Sequence, residues 1–341
     1  MQKLPGIAFF LLIISSSLLA QDPVFSQFFA APVYLNPAFT GVTITPKISL
    51  MYRDQWQGLD DAYQTFGASY DQSVENYNSG IGIMAMMDRE GGGIYQTARF
   101  SGLYGYKLNF DNDWTIKFGI EAGFFQKTID WNRLVFTDQL NPVSGVVDPA
   151  GNPGLSEEIQ PEDLQQSGLD ISAGLLVYND KFYAGLSARH LNSPNQSFLS
   201  VNDNLNIGLP FLISFQAGSE ITLDGRNNGS SRAFISPNLL VISQGPFGQV
   251  NAGAYVGLGQ FFGGAWYRMG FENPDAAIFL AGFREGILRL GYSFDFTLSR
   301  LALWNPGGTH EISIAISFDD SGRQKGKRKA ARLNNCFQMF K

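Results

Sequence analysis

The chain has 341 residues, a net charge of −6, and 29 Phe, 13 Tyr, 5 Trp and 38 Gly. Its one cysteine, Cys336, excludes a disulfide framework. Beyond residue 20 no run of ~18 apolar residues exists to form a helical membrane span. Many aromatics, many glycines and a mildly negative mean hydropathy instead fit a barrel whose strands hide their hydrophobicity by alternation.

The chain opens with the basic start Met1-Gln2-Lys3. An apolar run from Ile7 to Leu19 follows, broken by Ser15, Ser16 and Ser17, and then the small Ala20. This predicts a secretory leader over 1–20, cut after Ala20. The run is short for an uncleaved span, which needs ~20 apolar residues. No cysteine follows the cut to carry a lipid anchor.

Residues 21–45 carry Phe25, Phe28, Phe29, Tyr34 and Phe39, too many aromatics for a solvated tail. Pro23, Pro32 and Pro37 forbid a regular strand or helix through them. The expectation is a plug-like segment folded into the periplasmic side of a barrel. Inward charges such as Arg53, Arg268 and Arg289 would meet Asp22 or the segment's carbonyls. The competing expectation is a docking surface beneath the barrel for a partner protein.

Residues 46–319 are predicted as an all-β, antiparallel transmembrane barrel. Turn signals divide them into about 14 strands, within the range of bacterial barrels. The strands fall near 46–56, 62–72, 79–88, 94–109, 114–129, 168–178, 181–191, 207–223, 232–243, 249–257, 260–271, 276–283, 286–300 and 310–319. In Leu288 to Ser299, Leu288, Leu290, Tyr292, Phe294, Phe296 and Leu298 alternate with Arg289, Gly291, Ser293, Asp295, Thr297 and Ser299. Glu311 to Phe318 and Ile116 to Phe124 alternate likewise. A period of two puts each set on one face of a strand. That pattern alone also suits a soluble sandwich, and the leader favours the membrane barrel. Its apolar faces then meet outer-membrane lipid, and Arg53, Lys117, Glu121, Arg268, Arg289 and Asp295 face the lumen. Structural pairing is the default role of such charges.

The longest connections, 130–167 and 192–206, both follow odd-numbered strands and so fall on one end of the barrel. With both termini periplasmic, that end is outside. Gln21 to Phe318 is acidic overall, whereas seven of the chain's 24 basic residues lie after residue 318. Residues 320–341 are therefore read as a basic periplasmic tail, either solvated or docking an anionic or protein partner. Cys336 in that tail is a candidate intermolecular contact. Nucleic acid is excluded as a partner by location.

Catalytic and cofactor patterns are absent. The only histidines, His190 and His310, form no i, i+4 zinc pair, and no G-x-S-x-G occurs. Both are read as structural residues at strand ends. Asp88-Arg89-Glu90-Gly91-Gly92-Gly93 lacks the alternating oxygen ligands of a calcium loop and is read as a glycine hairpin loop. No enzyme activity, metal or cofactor is expected.

The block Gln21-Asp22-Pro23-Val24-Phe25-Ser26-Gln27-Phe28, followed by Tyr34-Leu35-Asn36-Pro37-Ala38-Phe39-Thr40-Gly41, resembles the N-terminal signature of the PorP/SprF family. These are outer-membrane barrels of the type IX secretion and gliding machinery. Phe182 to Leu191, Gly308 to Ile312 and the ending Asn335-Cys336 also resemble family elements, with Phe337 where proline is usual. The resemblance implies a non-enzymatic component that assists export or surface anchoring of a large adhesin, or docks to a periplasmic lipoprotein ring. It points to Asp22, Phe25, Ser26, Gln27, Tyr34, Asn36, Pro37 and Gly41 as plug or partner contacts. A passive porin or hydrophobic-solute transporter is the alternative reading.

Overall fold

The computed structural model describes residues 22–59, 63–110, 114–140, 156–198, 208–223, 233–271, 273–299 and 307–318. The expected leader, Gln21, the basic tail and Cys336 lie outside these residues. Among the described residues no helix is long and apolar enough to cross a membrane.

The strands are β1 Lys47–Gln55, β2 Tyr63–Val74, β3 Ser79–Glu90, β4 Tyr95–Asn109, β5 Thr115–Ile129, β6 Gln165–Tyr178 and β7 Phe182–Arg189. They continue with β8 Leu212–Ser219, β9 Ile221–Thr222, β10 Phe234–Gln244, β11 Phe247–Leu258, β12 Phe261–Gly270, β13 Pro274–Glu285, β14 Leu288–Thr297 and β15 Thr309–Ser317. Each pairs antiparallel with its sequence neighbour. The two-residue β9 continues β8, since both pair with β10. The sheet closes where β1 pairs with β15, Lys47 opposite Ser317 and Arg53 opposite Glu311. The result is a closed barrel of 14 antiparallel strands.

The expected strands appear with small boundary shifts. The largest is in β8, which begins at Leu212 rather than near residue 207. Pro210 has no N–H to give a ladder, and the Leu209 N–H donates to the carbonyl of Pro194 instead. In the β3–β4 connection all three residues Gly91, Gly92 and Gly93 have positive φ, as the hairpin reading requires.

Side chains alternate as the sequence pattern predicts. In β14 Leu288, Leu290, Tyr292 and Phe296 are exposed on the outer wall, while Arg289, Ser293 and Asp295 are buried. In β5 Phe118, Ile120 and Phe124 are exposed, and Lys117 and Glu121 are buried. The outer apolar surface is the lipid-facing band of a transmembrane barrel. The connections after β1, β3, β5, β7, β10, β12 and β14 share one end, here the loop end. It carries both long connections. The opposite end has short turns such as 259–260 and 286–287 and the moderate 223–233 connection, and is here the turn end.

Candidate functional site

The barrel interior holds the segment that precedes β1. From Asp22 to Val42 almost every residue is buried, including Phe25, Phe28, Phe29, Tyr34 and Phe39. The prolines break the segment into two 3-10 turns, Pro32–Tyr34 and Pro37–Phe39. The second is capped by Asn36, whose Oδ1 accepts from the Ala38 N–H at 2.8 Å. A segment of this kind leaves many N–H and C=O groups without regular partners, and the inward polar residues of the wall supply them.

The segment runs the height of the barrel. Asp22 lies at the loop end, beside Arg99 near the start of β4, His190 just past β7 and Gln244 at the end of β10. Gly41 lies at the turn end, where its N–H donates to Asp71 Oδ2 at 2.8 Å. The expectation of a segment confined to the periplasmic side is corrected: the described segment runs from Asp22 at one end of the lumen and enters β1 from the other.

Three groups of contacts hold it. At the loop end the Asp22 carboxylate receives both terminal nitrogens of Arg99, at 2.8 and 2.6 Å. His190 is fully buried, with Nε2 2.6 Å from Asp22 and Nδ1 2.9 Å from Asp170. An acceptor facing each ring nitrogen calls for the doubly protonated imidazolium. Burial opposes that charge, but the attraction of Asp22 and the bonds to both carboxylates hold the His190 pKa above its ordinary value. Burial likewise opposes ionisation of Asp22, and Arg99 and His190 outweigh it, holding its pKa well below the usual carboxylate range.

Beside this clasp, Glu311 on β15 accepts the consecutive backbone N–H groups of Ser26 and Gln27 at 2.8 and 2.7 Å. Ser26 Oγ donates to Asp295 at 2.6 Å and accepts from Arg53 and Arg268 at 2.8 and 3.1 Å. The same guanidinium groups are ion-paired, Arg53 to Glu311 and Arg268 to Asp295 and Asp275. Gln27 donates to Ser293 and to the Glu311 carbonyl, and accepts from Ser313.

Lower in the lumen, Tyr34 OH donates to the Ala85 carbonyl, and its own carbonyl accepts from Arg189, which pairs with Glu121. Asn36 Nδ2 donates to carbonyls of β6 and β7, and Lys117 Nζ donates to the Thr40 carbonyl at 2.7 Å. Here the wall thins to glycine. A Cβ on Gly119 would sit 2.2 Å from the backbone of Pro37 and Ala38, and one on Gly80 would sit 2.2 Å from the Thr40 carbonyl. These inward glycines let the two backbones touch.

The expected inward charges are all buried within the barrel, with partners that differ in part from expectation. Arg53 and Arg268 meet Ser26, and neither meets Asp22. Arg289 bonds Tyr255 OH and lies over the Phe262 and Tyr255 rings, 4.6 and 5.4 Å from their centroids. Phe29 stacks on Trp266 beside this group, and Phe25 meets Tyr34 edge to face. Arg99, Asp170, His190 and Glu311 were missed as site residues. Their signal was present, since Arg99, Asp170 and Glu311 fall on the polar side of strand alternation. Among the described residues no group of His, Cys, Asp and Glu side chains is arranged to hold a metal ion.

Above Asp22, Pro23 and Val24 the loop end opens into a cavity of about 700 Å³. Beneath them, a smaller pocket of about 30 Å³ lies between the segment and residues such as Met51, Met86 and Leu212.

Two solved structures that align with the chain are a bacterial outer-membrane protein and a porin. Omp33 of Acinetobacter baumannii aligns at 6% identity over 82% of this chain and 100% of its own, with a TM-score of 0.43. A substituted porin of Rh. blastica aligns at 8% identity over 81% of this chain and 99% of its own, with a TM-score of 0.33. No functionally curated protein matches the chain. The profile of the type IX secretion system membrane protein PorP/SprF matches residues 17–316. With a closed barrel and that match over most of its length, the chain belongs to the PorP/SprF family of type IX secretion system membrane proteins.

Proposed function

We propose that this protein is a non-enzymatic outer-membrane component of type IX secretion that acts by holding a protein partner, not by conducting solutes. The observation that carries this reading is the N-terminal segment, bonded to inward residues of strands around the barrel from loop end to turn end. On this reading the segment is a plug that denies water a continuous path through the lumen. The partner favoured is a large exported adhesin, with the barrel assisting its export or anchoring it at the surface. An open cavity at the loop end and a segment-filled lumen beneath it support that choice. Docking of the turn end to a periplasmic lipoprotein ring is the second reading, supported by the basic tail that follows β15 in sequence.

Single-channel recording in a planar bilayer tests the proposal. The intact protein should be silent, and a variant lacking 22–41 should conduct. Steady conductance from the intact protein would favour a passive porin or solute transporter instead.

A further inference from the structure

We infer that the loop-end cavity is a binding site for an extended peptide that presents a lysine or arginine side chain. This rests on the proposed role in handling an exported partner and names what part of that partner the barrel grips. A volume of about 700 Å³ lies within the range of built ligand sites, about 300–1,000 Å³.

The charge of the cavity is unbalanced. Arg53 and Arg268 reach it, but both are committed to Glu311, Asp295 and Asp275. Asp22 is committed to Arg99 and His190. Asp88 and Glu90, two residues apart on β3, face the same space, and neither is ion-paired among the described residues. Asp88 is 5% exposed and accepts one hydrogen bond, from Thr65 Oγ1 at 2.6 Å. Arg99 and Arg53 act on it only from beyond ion-pair distance, both being committed elsewhere, and a buried carboxylate so placed favours a cationic neighbour.

A second feature points to a peptide. Gln249 on β11 lines the cavity from the opposite wall, is 6% exposed, and its Nε2 donates to no partner. A buried amide N–H₂ without an acceptor is costly, and a peptide carbonyl is the acceptor it lacks. Trp56, Tyr63 and Phe271 border the same space, suited to the apolar stem of a long cationic side chain and to its charge. Carboxylate acceptors for a cation on one wall and an amide donor for a carbonyl on the other match an extended chain that carries a cationic side chain.

The test uses calorimetry on the full chain in detergent, with acetyl-Gly-Arg-Gly-amide, acetyl-Gly-Glu-Gly-amide and butylguanidinium as probes. The arginine peptide should bind and the glutamate peptide should not. Glu90→Gln and Asp88→Asn should each weaken the arginine peptide at least tenfold, and Gln249→Ala should weaken that peptide while sparing butylguanidinium. A heat-modifiable gel shift verifies that each variant is a folded barrel. Equal binding of both peptides, no binding of the arginine peptide, or unchanged affinity in Glu90→Gln would overturn the site. Butylguanidinium binding as tightly as the peptide, with Gln249→Ala silent for both, would reduce it to a small-cation site and refute the peptide. Arginine-peptide binding that persists while loss of the chain leaves export unaltered would uphold the pocket and refute the secretion role alone.

Discussion

The carboxylate of Asp22 lies 2.6 Å from Nε2 of His190, across 168 residues of sequence. That contact fixes the start of the luminal segment at the loop end. Its other neighbours, Arg99 and Asp170, make a nearly dry cluster of alternating charge. Such clusters tolerate the loss of a member poorly, because the remaining charge is left buried without its partner.

This clasp gives the segment a pH dependence. His190 has a raised pKa in the folded state, so its contribution is fully present below its ordinary value of 6.5 and is lost as pH rises through the raised one. Asp22 has a depressed pKa, so its contribution is fully present above 3.8 and is lost as pH falls through the depressed one. Heat resistance should therefore be greatest between about pH 4 and 6.5 and decline on the alkaline side. Thermal unfolding across pH checks this, and His190→Gln should remove the alkaline decline. A curve identical in that variant would refute the clasp.

Glu311→Gln should loosen the segment more than any change to one of its aromatics. The carboxylate serves two backbone N–H groups and Arg53 at once. Removing its charge is expected to cost about 3 kcal/mol, the low end for a broken buried pair, since Asp295 still faces Arg53. Conductance bursts in bilayers with the barrel still folded are the expected signature, and a silent variant of normal heat resistance would count against it.

Gly119→Val should fail where Ala122→Val succeeds. The first puts carbon into the backbone of Pro37 and Ala38, and the second adds bulk to the exposed outer wall. Overpacking of this kind costs about 1–3 kcal/mol or more. The temperature at which each variant loses its folded gel mobility reports the difference, and equal temperatures would show that the segment yields.

Ile314 lies on the outer wall of β15 and Ser313 on the inner. Ile314→Arg is expected to lose about 2–4 kcal/mol if the position is near the bilayer midplane. Urea unfolding in lipid vesicles measures this, and an unchanged midpoint would place the position at an interface.

Cysteine at Ser156 should react with a membrane-impermeant maleimide on intact cells, in a background with Cys336 replaced by Ser. The position lies in the longest connection of the loop end, where Ser156 caps Asp138. Reaction only after the outer membrane is opened would invert the barrel.

Much of this molecule is legible in its residue order because a barrel strand is a local object. Alternation with period two assigns Leu290 and Tyr292 to one face and Arg289 and Asp295 to the other whatever the partner strands are. Glycine and proline mark the turns, so 14 strands and their end assignment follow from the chain alone. The aromatic, proline-broken start announces by composition that it must be buried. What only tertiary structure decided is which residues meet. Arg53 faces Glu311 across 258 residues because closure pairs the first strand with the last, and register then sets them opposite each other. Likewise, nothing local to Asp22 says that it will find Arg99 and His190, that His190 will also meet Asp170, or that the segment begins at the loop end. Those residues come from β4, β6 and the end of β7, brought into one sector of the wall by the ladder, and inward charge has no periodicity that names its mate. The direction of the segment is set by such long-range pairs, by Glu311 receiving Ser26 and Gln27, and by glycines at 80 and 119 that leave its backbone room near the turn end.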